Sequence, residues 1–164
     1  MQQMSETALK LASRLEREGT KTIEFFSRLP TEIWDKTVYT DGASWRVAEV
    51  LAHIVEAESA LPRLFRHIAE GGEGVPQDFD LNGYNEESVK HYREQSPEEL
   101  VTLFMERRGQ TADFVGNLTD EELAKEGNHP FMGKAPLGEM IRLFYLHVQL
   151  HMRDIRGLLD ERKV

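Results

Sequence analysis

The sequence predicts an all-α protein, a four-helix bundle with short extra helices in its connections. Four long segments repeat apolar residues at spacings of three and four, the period of a helix with one buried face. Capping and breaking residues mark their ends, and no segment shows the apolar–polar alternation of a half-buried strand. At 164 residues the chain is long enough to bury a core without staples, and one domain, residues 1–164, is expected.

The first helix is expected from Ser5 to about Arg28, where Ala8, Leu11, Leu15, Thr22, Ile23 and Phe26 share one face. Pro30 and the stretch Tyr39-Thr40-Asp41-Gly42-Ala43 break the pattern, and Ser44 with Glu49 after it reads as a capped restart. The second helix carries Val47, Val50, Leu51, Ile54, Ala57, Leu61, Leu64 and Ile68 inward to about Gly71-Gly72, with a kink expected at Pro62. Residues 73–84 have the composition of turns and read as a long loop, followed by a short helix from about Asn85 to Glu94.

Ser96-Pro97-Glu98-Glu99 combines a serine cap, proline at the first helical position and early acids, so a third long helix should run from there to about Asn117. Thr119-Asp120-Glu121-Glu122 repeats the start signal for a turn or two, and Gly127, Pro130 and Gly133 then read as a loop. Pro136 opens the last helix, with Leu137, Met140, Ile141, Phe144, Val148, Ile155 and Leu158 inward as far as Glu161.

Composition narrows the function. No apolar run approaches the roughly 18 residues of a membrane span, and the first residues lack the basic and apolar regions of a secretory signal, so a soluble, cytoplasmic protein is expected. The 29 acidic and 20 basic side chains give a net charge of −9, which opposes binding to a phosphate backbone; no nucleic-acid or membrane partner is expected. With no cysteine, disulfides and thiolate metal sites are excluded, and any metal must sit on His, Asp or Glu.

His147 and His151 lie four apart on the last helix, so they leave one face at a separation that two ligands of one ion can close. Six histidines produce such a pair by chance often enough that spacing alone is not specific. Their place in the apolar stripe, in line with Met140, Phe144 and Leu158, adds weight, because buried imidazoles need partners. A metal provides one, and a hydrogen bond to a carbonyl or acid provides another. His53 shares a line with Val50, Ala57, Ala60 and Leu64 on the second helix; with the pair it makes three nitrogen ligands and leaves a coordination position open, the pattern of a catalytic site.

Other candidates carry two readings each. Asp154, on the face of His147 and His151, can orient an imidazole or pair with Arg153 or Arg156. Glu56, three residues after His53, can support a ligand imidazole or lie on an exposed helix face, and exposure is preferred; Arg107, on a stripe with Phe104, Thr111 and Phe114, can meet an anionic substrate group or snorkel outward, and the outward arm is preferred. His67 fits the cation-favouring end of its helix, His91 a solvated face, and His129 a loop over one mouth of the bundle.

The segment Ser44-Trp45-Arg46-Val47-Ala48-Glu49-Val50-Leu51-Ala52-His53 and the segment His147-Val148-Gln149-Leu150-His151 resemble, in order and separation, the DinB-like superfamily of metal-binding four-helix bundles. That superfamily includes mycothiol-dependent maleylpyruvate isomerase and bacillithiol S-transferases. Looser agreement extends to residues 79–85 and 133–139, so the resemblance spans nearly the whole chain. It implies an up-down-down-up bundle and a homodimer, with one divalent ion, zinc or nickel, held by His53, His147 and His151. The activity implied is a metal-dependent transfer of a low-molecular-weight thiol to a small electrophile, or hydrolysis with metal-bound water. The alternative is a non-catalytic metal-binding stress-response or ligand-binding bundle.

Overall fold

The computed structural model describes residues 3–161. Four long helices dominate it: α1 (Glu6–Ser27), α2 (Val47–Ala69), α4 (Pro97–Gly116) and α6 (Leu137–Glu161). Short helices α3 (Leu81–Val89) and α5 (Asp120–Ala124) lie in the connections. Two small antiparallel hairpins complete it, β1 (Thr37–Tyr39) with β2 (Trp45–Arg46), and β3 (Glu126–His129) with β4 (Gly133–Pro136). None of the described helices is long and apolar enough to cross a membrane.

The capping signals act much as expected. Ser5, Ser96 and Thr119 accept the N–H of residues Ala8, Glu99 and Glu122, while Glu99 and Glu122 return the bond to their caps. The second helix differs from expectation: Ser44 is not its cap. Residues 45–46 are drawn into the β1–β2 hairpin, so α2 starts at Val47 and the Glu49 carboxylate accepts both the backbone N–H and the guanidinium of Arg46. The loop expected over 73–84 is also shorter, because Asp80 caps α3 by accepting from the Gly83 N–H. Residues 126–136, read as a loop, form the β3–β4 hairpin instead. Its sequence is poor in β-formers, and tertiary contacts hold it: Asn128 bridges Gly74, donating from its backbone to Glu73 and accepting from Val75. Through Pro62, α2 continues without a break.

Each of α1 and α2 packs against both α4 and α6, so the order round the bundle is α1–α4–α2–α6. Contacts set the directions. Ala12 lies by Gly116 and Leu15 by Arg108, so α1 and α4 are antiparallel; Glu58 meets Arg108 while Arg66 covers Phe114, so α2 and α4 are parallel. His53 faces His151 and Phe65 faces Phe144, which makes α2 and α6 antiparallel. The result is the up-down-down-up arrangement. The core forms two clusters, one around Leu15, Phe65, Val115 and Met140, the other around Phe26, Ile33, Ile54, Phe104 and Ile155.

Candidate metal centre

His53 sits in the second turn of α2, and His147 and His151 near the middle of α6, on the line where these antiparallel helices meet. The three imidazoles converge. Their ring centroids are 5.3, 5.2 and 4.4 Å apart, and one nitrogen from each lies within 4.8 Å of the others. Two metal–imidazole bonds of about 2 Å span at most about 4 Å, so a small turn of one ring brings all three nitrogens to one ion. Trp45, carried by β2, covers the His53 ring at 5.0 Å.

The protonation pattern suits a cation. Burial pushes His53 well below the ordinary imidazole value, with His151 and His147 adding to the effect. His147 is lowered by burial, and His151 is pushed down to about 3 by burial and by His147, against the opposing pull of Asp154. All three are therefore neutral at physiological pH, the form in which imidazole binds metal.

The tautomer of His151 follows from a third residue. Tyr39 has one hydroxyl proton, and its 2.6 Å bond to Asp154 Oδ2 uses it. Its oxygen also lies 2.9 Å from His151 Nδ1, so that nitrogen must be the donor. The Nε2 lone pair of His151 is thereby aimed at His147 Nε2, 2.9 Å away. Asp154 thus orients the imidazole only through Tyr39, and it also accepts from Arg153 at 3.1 Å; both sequence readings of this residue hold together. The hydrogen bond from Tyr39 lowers the Asp154 pKa, while burial and then Asp154 raise that of Tyr39. Tyr39 carries no local sign of this role in the sequence, because only the β1–β2 hairpin brings it to α6.

Beside the histidines lies a cavity of 360 Å³ with mainly apolar walls, among them Ala57, Leu64, Phe79, Phe144 and Leu150; His53, His147 and His129 also line it. Glu56 lines it too, which corrects its reading as an exposed acid. Its carboxylate accepts from the Tyr84 hydroxyl at 2.7 Å and from the Tyr92 hydroxyl at 2.5 Å. Burial and then Glu56 push Tyr84 up to about 12. Arg107 is no outward arm: it donates to Val55 O at 2.8 Å and to the Tyr92 oxygen at 2.9 Å, anchoring the group that holds Glu56. Neither tyrosine was legible as a partner, since α3 and the turn after it had no visible register against α2. His129 ends β3 and is buried, while His67 and His91 are exposed and lie outside this cluster.

The fold and site define a class: a four-helix bundle with three inward, neutral imidazoles, beside a lined cavity, that could hold a metal ion. The chain belongs to the DinB superfamily, whose family model matches residues 14–155. Among solved structures it is similar to YfiT from Bacillus subtilis, a probable metal-dependent hydrolase with an unusual four-helix bundle topology. That match has 20% identity and a TM-score of 0.78, covering 99% of this chain and 92% of that one. It is also similar to a mycothiol-dependent maleylpyruvate isomerase, at 17% identity and a TM-score of 0.70; 92% of this chain is covered, and the chain spans 60% of that protein. A third is the colibactin self-resistance protein ClbS, solved in complex with a dsDNA, at 12% identity and a TM-score of 0.70, with 93% and 94% coverage. At such identities these likenesses show the fold. No curated protein matches the chain in sequence.

Proposed function

We propose that the chain is a metal-dependent enzyme acting on a small electrophile, with His53, His147 and His151 holding one divalent ion, zinc or nickel, and a low-molecular-weight thiol or water as the nucleophile. The observation that carries this reading is the convergence of three neutral imidazoles on one point at the wall of a ligand-sized cavity. A divalent ion held there supplies Lewis acidity, which favours the deprotonated form of a thiol or water. Tyr39 and Asp154 fix the His151 ring and direct its Nε2 lone pair inward. Glu56, one turn after His53 and held by two tyrosine hydroxyls, is the carboxylate placed to take a proton from the incoming nucleophile. Apolar walls around them limit water and favour an apolar electrophile.

Two of the similar structures support this reading, one a probable metal-dependent hydrolase and the other a mycothiol-dependent maleylpyruvate isomerase. ClbS was solved with duplex DNA; for the present chain a net charge of −9 opposes that partner, and we keep a small molecule as the substrate. A single domain and a homodimer are part of the proposal, the latter supported by the exposed Leu146 and Leu150 on α6.

Turnover of a model electrophile with bacillithiol, mycothiol, glutathione or water alone tests the activity, comparing the metal-loaded protein with the His53→Ala variant. Turnover that depends on both the metal and His53 is expected. Metal binding without turnover under any of these conditions would assign a non-catalytic metal-binding bundle instead.

A further inference from the structure

His129 is the buried polar group of the cavity that the metal reading leaves without a task. It is 6% exposed, ends strand β3 and lines the same cavity as His53 and His147. Its Nδ1 accepts two backbone N–H groups of the hairpin turn, from Phe131 at 3.0 Å and from Met132 at 3.1 Å. A nitrogen that receives two donors carries no proton, so in the neutral ring the proton is on Nε2. No hydrogen bond among the described residues uses Nε2, while every fully buried side-chain nitrogen or oxygen among them has a partner. Nε2–H therefore faces accessible space, and the accessible space beside His129 is the cavity. A ring fixed in this tautomer is neither a proton acceptor on that side nor a fourth metal ligand. It is a hydrogen-bond donor held in place by the backbone.

We propose that His129 Nε2–H is a substrate-positioning donor, and that the cavity takes a small apolar molecule bearing a neutral carbonyl or comparable acceptor, which this N–H binds. The inference rests on the reading of the histidine cavity as the substrate site and deepens it. Apolar walls receive the body of such a molecule, and the Glu56 carboxylate on the same wall favours a neutral acceptor over an anionic one. The donor also explains why a histidine stands in a short hairpin: one nitrogen closes the turn and the other serves the cavity. The neutral ring is the stable form, since burial and then His147 push its pKa down to about 4.

The test uses the full-length chain stripped of metal by chelation, so that acceptor binding is read without an ion. Acetophenone and α-methylstyrene have nearly the same shape, and only the ketone accepts a hydrogen bond. Titration of each, followed calorimetrically, is expected to show the ketone binding about tenfold more tightly, the ratio that a net hydrogen bond gives. His129→Asn separates the donor from the turn, because an asparagine Oδ1 can accept from the Phe131 and Met132 N–H groups and leaves no donor at the Nε2 position. That variant is expected to keep its thermal midpoint within a few degrees and to lose the preference. Long-range ¹H–¹⁵N correlation of the wild-type histidines, with the His129 signal assigned by its loss in the variant, is expected to show the proton on Nε2. A proton on Nδ1, equal affinity for the two probes, no binding of either, or a preference that survives His129→Asn would each overturn the proposal. Failure of the three-histidine metal site would appear instead as a missing ion in the loaded protein and would leave these readings in place.

Discussion

At the scale of single residues, the chemistry of the centre depends on where protons sit. Tyr39 and Asp154 act on His151 in series, so Tyr39→Phe and Asp154→Ala should each weaken metal affinity by about 10–100-fold. The double variant should lose little more than either single one, and competition with a chromophoric chelator measures all three; additive losses would show that the two act separately. Glu56→Gln should lower kcat by a factor on the order of 10²–10⁴ while metal stoichiometry stays unchanged. The sign of the pH effect also follows from burial. His53, His129, His147 and His151 have folded pKa values below the unfolded value near 6.5. Below pH about 6.5 the unfolded chain therefore binds more protons than the folded one, and metal-free stability should fall as pH drops toward the folded values, by up to about 1.4 kcal/mol per pH unit for each histidine. Urea midpoints at pH 7.5, 6, 5 and 4 read this slope. The same burial should move proton competition for a metal in the folded chain below the unperturbed histidine value near 6.5. The three ligand candidates were legible from a spacing of four and two apolar stripes. Their tautomer was not, because it depends on Tyr39, which is 112 residues from its histidine partner.

At the scale of elements, the long helices were legible because their caps and apolar periods are local properties, and the ends of α1, α4 and α6 fall within a residue or two of expectation. The hairpins were not, since β1 and β2 contain only three and two residues, and β3–β4 is poor in β-formers and gains further backbone bonds at Asn128 from the distant Glu73 and Val75. Gly74 has φ +95°, and a Cβ there would lie 2.3 Å from Asn128 O. Gly74→Ala should therefore unpair this strand, lower stability by about 1–3 kcal/mol and loosen the hairpin that places His129. Hydrogen exchange at residues 126–136 measures the second effect. Between α2 and α4 the Arg108–Glu58 pair is 3% and 0% exposed, with Arg108 also donating to Leu15 O and lying against the Phe104 and Phe144 rings. The apolar stripe read from sequence passed over Arg108 in favour of its neighbour Arg107. Glu58→Ala should cost about 3–5 kcal/mol in chemical unfolding, because it leaves a buried guanidinium without its counter-charge. Gly19 belongs to the same arrangement: a Cβ would lie 2.8 Å from Arg108 Cγ, so this close helix approach needs glycine.

At the scale of the molecule, the up-down-down-up order brings α2 against α6 in antiparallel register, and this juxtaposition makes one site of residues nearly a hundred positions apart. The same order sets the hairpin beside the cavity, so that His129 joins a centre built on two other elements. Light scattering across a wide concentration range should give the dimer mass, with Leu146→Glu shifting it to the monomer. Elemental analysis of the protein purified without an affinity tag and supplemented with zinc or nickel shows whether this bundle holds a metal ion at His53, His147 and His151. One divalent ion per chain is expected, falling to near zero in the His147→Ala, His151→Ala double variant; a wild-type chain that stays empty, or a double variant that keeps its ion, would rule this metal site out.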